Sequence, residues 1–87
     1  MDITEQLAEW NKDFRGRLES CGLLSPTQLS RAVVANGGQV SKQVAWRWIN
    51  GHSLTGAKNL LPVCRCLGLK ANSKEEAIFI RSWLEVH

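Results

Sequence analysis

No stretch of this chain approaches the roughly 18 consecutive apolar residues that a membrane-spanning helix requires, so no membrane partner is expected. A glycine-rich phosphate loop is missing, as are paired His/Cys ligand spacings and a coherent carboxylate pair in a polar setting. Their absence argues against nucleotide-, metal- and acid–base-dependent catalysis, and no enzyme activity, catalytic residue, metal or cofactor is expected. Cysteine is scarce and odd in number, at three, so a closed disulfide framework cannot use every thiol. Cys64 and Cys66 sit two apart in a helical stretch and point roughly opposite ways. Even with His52 and His87 they offer poor zinc geometry, and Cys21 has no base near it in sequence. Buried small hydrophobes are the expected role of the thiols. Repeats, low-complexity tracts and long linkers are also lacking. The first residues include Asp2, Glu5 and Glu9, the reverse of a signal peptide's basic start, which places the expected site of action inside a cell.

What is present fits one domain spanning residues 1–87. Hydrophobic residues make up 44% and charged residues 22%, values of an ordinary globular chain. A core of this size gives modest stability, so a partner subunit could matter. The net charge is +3 and the isoelectric point about 9.0; both suit a polyanionic partner without requiring one.

Apolar periodicity and capping residues divide the chain into five helical segments, at about 3–20, 26–35, 41–50, 56–67 and 73–86. The first carries Ile3, Leu7, Trp10, Phe14 and Leu18 as a core stripe, opened by Asp2 and Glu5 as a capping box and weakened by Gly16. The second opens on Ser25 as N-cap, Pro26 at N1 and Gln28 at N3, with Leu24 and Leu29 as a hydrophobic staple. The fourth carries Leu60, Leu61, Cys64 and Leu67, with Pro62 predicting a tight first turn or a kink. The fifth opens on Ser73 and Glu76, and its apolar residues cover more of the circumference than one core contact needs. That width makes Ile78, Phe79, Trp83 and Val86 a candidate dimer interface; a terminal helix packed deep on the first is the alternative.

The third segment has two faces. Val44, Ala45 and Trp48 fall together, with Ile49 at the margin, while Lys42, Gln43, Trp46, Arg47 and Asn50 fall opposite. Lys or Arg can pair with guanine, and Gln with adenine, in a major groove. Ser41 is the expected N-cap, and Asn50-Gly51 the left-handed exit. These groups read as a DNA recognition helix.

Ser25-Pro26-Thr27-Gln28-Leu29, Val40-Ser41-Lys42-Gln43, Arg47-Trp48-Ile49-Asn50-Gly51, Asn59-Leu60-Leu61 and Leu67-Gly68-Leu69 together resemble the phage-repressor (Cro and lambda-repressor-like) helix-turn-helix domains. The resemblance covers about half the chain. It implies an all-α compact bundle of about five helices in which the second helix spans the DNA backbone and the third enters the major groove. Lys42, Gln43 and Arg47 match the family's base-contacting places, and Thr27 and Gln28 match its phosphate-touching helix start. Val40, Ala45 and Trp48 match the positions that anchor the third helix. Two features depart from the pattern. The connection through Asn36-Gly37-Gly38-Gln39 is longer than the family's turn, and Trp46 stands where a small or polar residue is usual. Trp46 reads either as a packed aromatic or as a contact with a thymine methyl, a sugar or a protein partner.

The expected function is a sequence-specific transcriptional regulator binding double-stranded DNA, as a homodimer, in a bacterial or phage-encoded, nucleoid-associated setting. Base contacts are assigned to Lys42, Gln43, Trp46 and Arg47, and backbone contacts to Thr27, Gln28, Arg31, Ser41, Asn50, His52 and Lys58. The alternative is a protein-interaction module on the same fold, antitoxin-like or phage-derived, docking a protein partner through Trp46 and the last helix.

Overall fold

Capping groups decide where the helices begin. In the computed structural model, which describes residues 2–86, the Asp2 carboxylate accepts a hydrogen bond from the Glu5 N–H at 2.9 Å. That bond opens α1 (Ile3–Ser20), which runs unbroken through Gly16. Ser25 precedes α2 (Pro26–Ala35) with the backbone of an N-cap, yet its side chain makes no capping bond, so the expected capping box at Gln28 is not formed. Ser41 does cap α3 (Lys42–Ile49), its Oγ accepting from the Val44 N–H at 3.2 Å. The fourth helix, α4 (Ala57–Cys66), starts tightly, with the Asn59 N–H on the Gly56 carbonyl at 3.1 Å, and continues through Pro62. Before α5 (Lys74–Val86), Ser73 Oγ accepts from the Glu76 N–H at 3.1 Å. The Glu76 carboxylate does not reach back to Ser73; it accepts from the Asn72 N–H at 3.1 Å and pairs with Arg65 at 2.5 Å. The Arg65 guanidinium holds the Glu76 carboxyl below its ordinary range and ties α4 to α5.

All five helices thus lie within a residue of their expected bounds. The protein is an all-α bundle, and among the described residues no helix is long and apolar enough to cross a membrane. Met1 and His87, the latter weighed above as a zinc ligand, lie outside the described residues.

One core joins the helices. It takes Trp10, Phe14 and Leu18 from α1, Leu29 and Val33 from α2, and Ala45, Trp48 and Ile49 from α3. Leu60, Val63 and Cys64 come from α4, and Phe79, Trp83 and Val86 from α5. Trp10 stacks on Phe14 at 5.1 Å and meets Phe79 at 5.9 Å, and the Arg17 guanidinium lies over Phe79 at 5.5 Å. Trp83 Nε1 donates to the Thr55 carbonyl at 2.8 Å, pinning the connection between α3 and α4.

Several sequence expectations change here. Phe79, Trp83 and Val86 are core residues of the single chain, so of the four assigned to a dimer interface only Ile78 is exposed, at 55%. The width of the α5 face is used because this helix packs on both α1 and α4. Ile3 and Leu61 drop out of their stripes and stand exposed, and in α4 Val63 joins Leu60 and Cys64 in the core. Leu24 is 38% exposed while Leu29 is fully buried, so the staple between them is partly open to solvent. Cys64 is buried and Cys66 half-buried, but Cys21 is exposed at the end of α1 and is no core residue.

The two serines make a direct comparison. Ser41→Ala is expected to cost about 1 kcal/mol through the lost cap, whereas Ser25→Ala should cost clearly less. Denaturant midpoints of the two variants measure this, and equal losses would reject the distinction.

Candidate nucleic-acid interface

Burial turns the amphipathic pattern of α3 into an anchored helix. Ala45, Trp48 and Ile49 are buried, while Lys42, Gln43, Trp46 and Arg47 are exposed. The split follows the sequence expectation with one exchange: Ile49 is fully part of the core, and Val44 is exposed at its rim.

The connection from α2 to α3, residues 36–41, is long but firmly held. Val33 accepts from the Gly38 N–H at 2.9 Å. Asn59 on α4 then grips the next residue through both amide atoms. Its Oδ1 accepts from the Gln39 N–H at 2.9 Å, and its Nδ2 donates to the Gln39 carbonyl at 3.0 Å. One side chain thereby satisfies both backbone groups of a residue outside any helix, which fixes the path of the turn. Ser30 on α2 adds a bond from its Oγ to the Val40 carbonyl at 2.8 Å. Gly38 is needed for space. A Cβ there would stand 2.6 Å from Val33 Cγ1, 2.7 Å from Asn59 Oδ1 and 3.0 Å from Pro62 Cβ.

The other end of α3 is closed twice. Gly51, at φ 74°, allows the His52 N–H to reach the Arg47 carbonyl at 2.9 Å and its own N–H to reach that of Trp48 at 3.4 Å. This is a Schellman ending, in which a left-handed residue lets the chain fold back on the last turn. From α1, Asn11 Nδ2 donates to the Trp48 carbonyl at 3.0 Å and the Arg15 guanidinium to the Ile49 carbonyl at 2.8 Å. A cation at the C-terminal end also complements the helix dipole. The first helix is therefore more than core: it sets the position of α3.

Lys42, Gln43, Trp46 and Arg47 share, with Pro26 at the start of α2, a shallow cleft of about 620 Å³. All four expected base-contacting residues are brought together, and Pro26 is an addition. Trp46 is 49% exposed and stacks on His52, with ring centroids 5.3 Å apart and planes at 10°.

The expected backbone-contacting residues are placed less uniformly. Thr27 is half-buried and Gln28 and Arg31 are exposed on α2. Ser41 Oγ is engaged as the cap, Asn50 Nδ2 donates to the Trp46 carbonyl at 2.9 Å, and Lys58 Nζ donates to Gln39 Oε1 at 3.2 Å. His52 is occupied as the support of Trp46.

Charge along the chain carries a signal that composition hides. Every carboxylate lies outside residues 20–73: Asp2, Glu5, Glu9, Asp13 and Glu19 before, Glu75, Glu76 and Glu85 after. Between them the ionised side chains are Arg31, Lys42, Arg47, Lys58, Arg65 and Lys70, all cationic. The segment containing α2, α3 and α4 is thus more basic than the net charge suggests. Asn11 and Arg15 were not singled out in the sequence, because the carbonyls they hold lie 37 and 34 residues away in the chain.

Among the described residues, no group of three His, Cys, Asp or Glu side chains is placed to hold a metal ion. Burial, followed by the nearby Glu76 charge, pushes the Cys64 thiol up to about 11, far from a reactive thiolate at neutral pH. Burial also raises Cys66, whose sulfur accepts a contact from Asn36 Nδ2 at 3.6 Å. Compared with known proteins, the chain matches no family model, no curated protein and no solved structure.

Proposed function

We propose that this chain is a sequence-specific regulator that binds double-stranded DNA as a helix-turn-helix domain of the phage-repressor type. In this reading α3 lies in the major groove and α2 crosses the backbone. The observation that carries it is the outward grouping of Lys42, Gln43, Trp46 and Arg47 on a short helix held at both ends. The stretch of residues 20–73 supports it, because it carries six cationic side chains and no carboxylate of its own. Arg47 and Lys42 suit guanine edges and Gln43 an adenine edge, while Arg31, Thr27 and Gln28 on α2 suit phosphates.

A homodimer would read two half-sites about 34 Å apart. Its interface would have to use surface such as Ile78 and Leu84, because Phe79, Trp83 and Val86 are spent in the core. The cytoplasmic, nucleoid-associated setting belongs to the same proposal.

The test is a selection of duplexes from a random pool, with the parent beside a Lys42→Ala/Arg47→Ala double variant. Recovery of a shared motif by the parent alone is the expected result. On that motif, Arg47→Ala should lose about 1–3 kcal/mol and relax choice at one base. Unchanged affinity and selectivity in a titration would remove Arg47 from the reading.

The exposed indole of Trp46 favours a second reading, docking of a protein partner. Salt separates the two. DNA affinity falls steeply with rising salt through counterion release, whereas a Trp-centred protein contact changes little.

A further inference from the structure

We infer that the cleft between Pro26 and Trp46 is a subsite for the C5-methyl group of a thymine, so that Trp46 selects a base. This rests on the DNA reading proposed above and deepens it. The other side chains on the outward face of α3, Lys42, Gln43 and Arg47, offer polar groups to base edges and phosphates. Trp46 is the exception, and it stands among them rather than at the helix margin. Its half-exposed indole and the Pro26 ring give the cleft an apolar patch, and Lys42 and Arg47 give it a cationic border.

A matching ligand must present a small apolar group bordered by acceptors and negative charge. In the major groove of unmodified DNA, the thymine C5-methyl is the apolar group that base edges display, beside acceptor atoms and within reach of phosphates. A phosphate has no use for two apolar walls, and a sugar, the same at every nucleotide, would give Trp46 no base to select. The indole is also set in advance. His52 covers one of its faces in a near-parallel stack, and the His52 backbone is tied to Arg47 by the fold-back after α3. A wall fixed before binding loses little side-chain freedom on contact, which favours recognition of a group as small as a methyl.

Replacing thymine by uracil removes that methyl and leaves the base-pairing edge and the phosphates alone. The experiment takes the duplex recovered from the random pool by the full chain and substitutes uracil for thymine one position at a time. At one position per bound chain, affinity should fall about fourfold, the value of one buried methyl group. Trp46→Ala should bind more weakly and no longer distinguish the two bases there. Trp46→Phe, with a smaller aromatic wall, should retain part of the preference. Parent protein indifferent to uracil at every position overturns the subsite while leaving DNA binding intact. Discrimination that persists in Trp46→Ala, checked as folded by its circular dichroism, also overturns it. Failure of the parent to enrich any duplex overturns the subsite together with the reading beneath it.

Discussion

Phe79→Ala is expected to lower the unfolding free energy by about 3–5 kcal/mol, a large share of the roughly 5–15 kcal/mol that holds a typical domain together. Phe79 is 1% exposed, meets the Trp10 ring at 5.9 Å and lies beneath the Arg17 guanidinium. Removing the ring leaves a void between α1 and α5 beside the Trp10 indole and the Arg17 guanidinium. For a chain of this length, the melting midpoint should drop by more than about 12 °C. Scanning calorimetry or a denaturant titration at two protein concentrations checks it. A residue serving only a dimer interface would behave differently: its loss would dissociate the dimer and leave the melting of the separate chain intact. That outcome would overturn the placement of Phe79 in the core.

Gly38→Ala carries the second large effect, from the addition of a single carbon. The new Cβ would press on Val33 Cγ1, Asn59 Oδ1 and Pro62 Cβ at once, and none of the three can swing clear. Val33 is fully buried, Pro62 is a ring in the middle of α4, and Asn59 is held by its two bonds to Gln39. Overpacking of this kind costs about 1–3 kcal/mol, and a displaced Asn59 adds about 1 kcal/mol for each hydrogen bond it loses. Asn59→Ala gives up those bonds without the clash and should be the milder variant. A Gly38→Ala protein as stable as the parent in urea would reject the close packing of the turn. If the DNA reading holds, the same substitution should blunt sequence selectivity, because the turn sets the direction in which α3 leaves α2.

The long connection is also where the sequence was least informative. Asn36-Gly37-Gly38-Gln39 announced a break in the helix but not its path, since the groups that hold it come from elsewhere. Asn59 lies 20 residues from Gln39 in the chain, and Asn11 lies 37 from Trp48. No periodicity within a segment reports such pairs. The face of α5 was ambiguous for a related reason. A wide apolar arc can cover a second helix of the same chain or a second chain, and only the arrangement of α1, α4 and α5 assigned Phe79, Trp83 and Val86 to the former. Within α3, by contrast, the outward set Lys42, Gln43, Trp46 and Arg47 was readable directly, because steps of three and four residues fix which side chains share a face.

The sequence by itself therefore determined the five helices, the caps at Asp2, Ser41 and Ser73, and the polar face of α3. Each depends on residues within about four positions of one another, where backbone geometry leaves few alternatives. Tertiary structure alone decided the rest: that Ser25 leaves its cap unmade, that Ile3 and Leu61 stay outside, and that α3 is gripped by Asn11, Arg15 and Asn59. It also set Trp46 against His52 and across from Pro26. Those outcomes turn on which surfaces compete for the same buried space, and that competition is settled only when all five helices pack together.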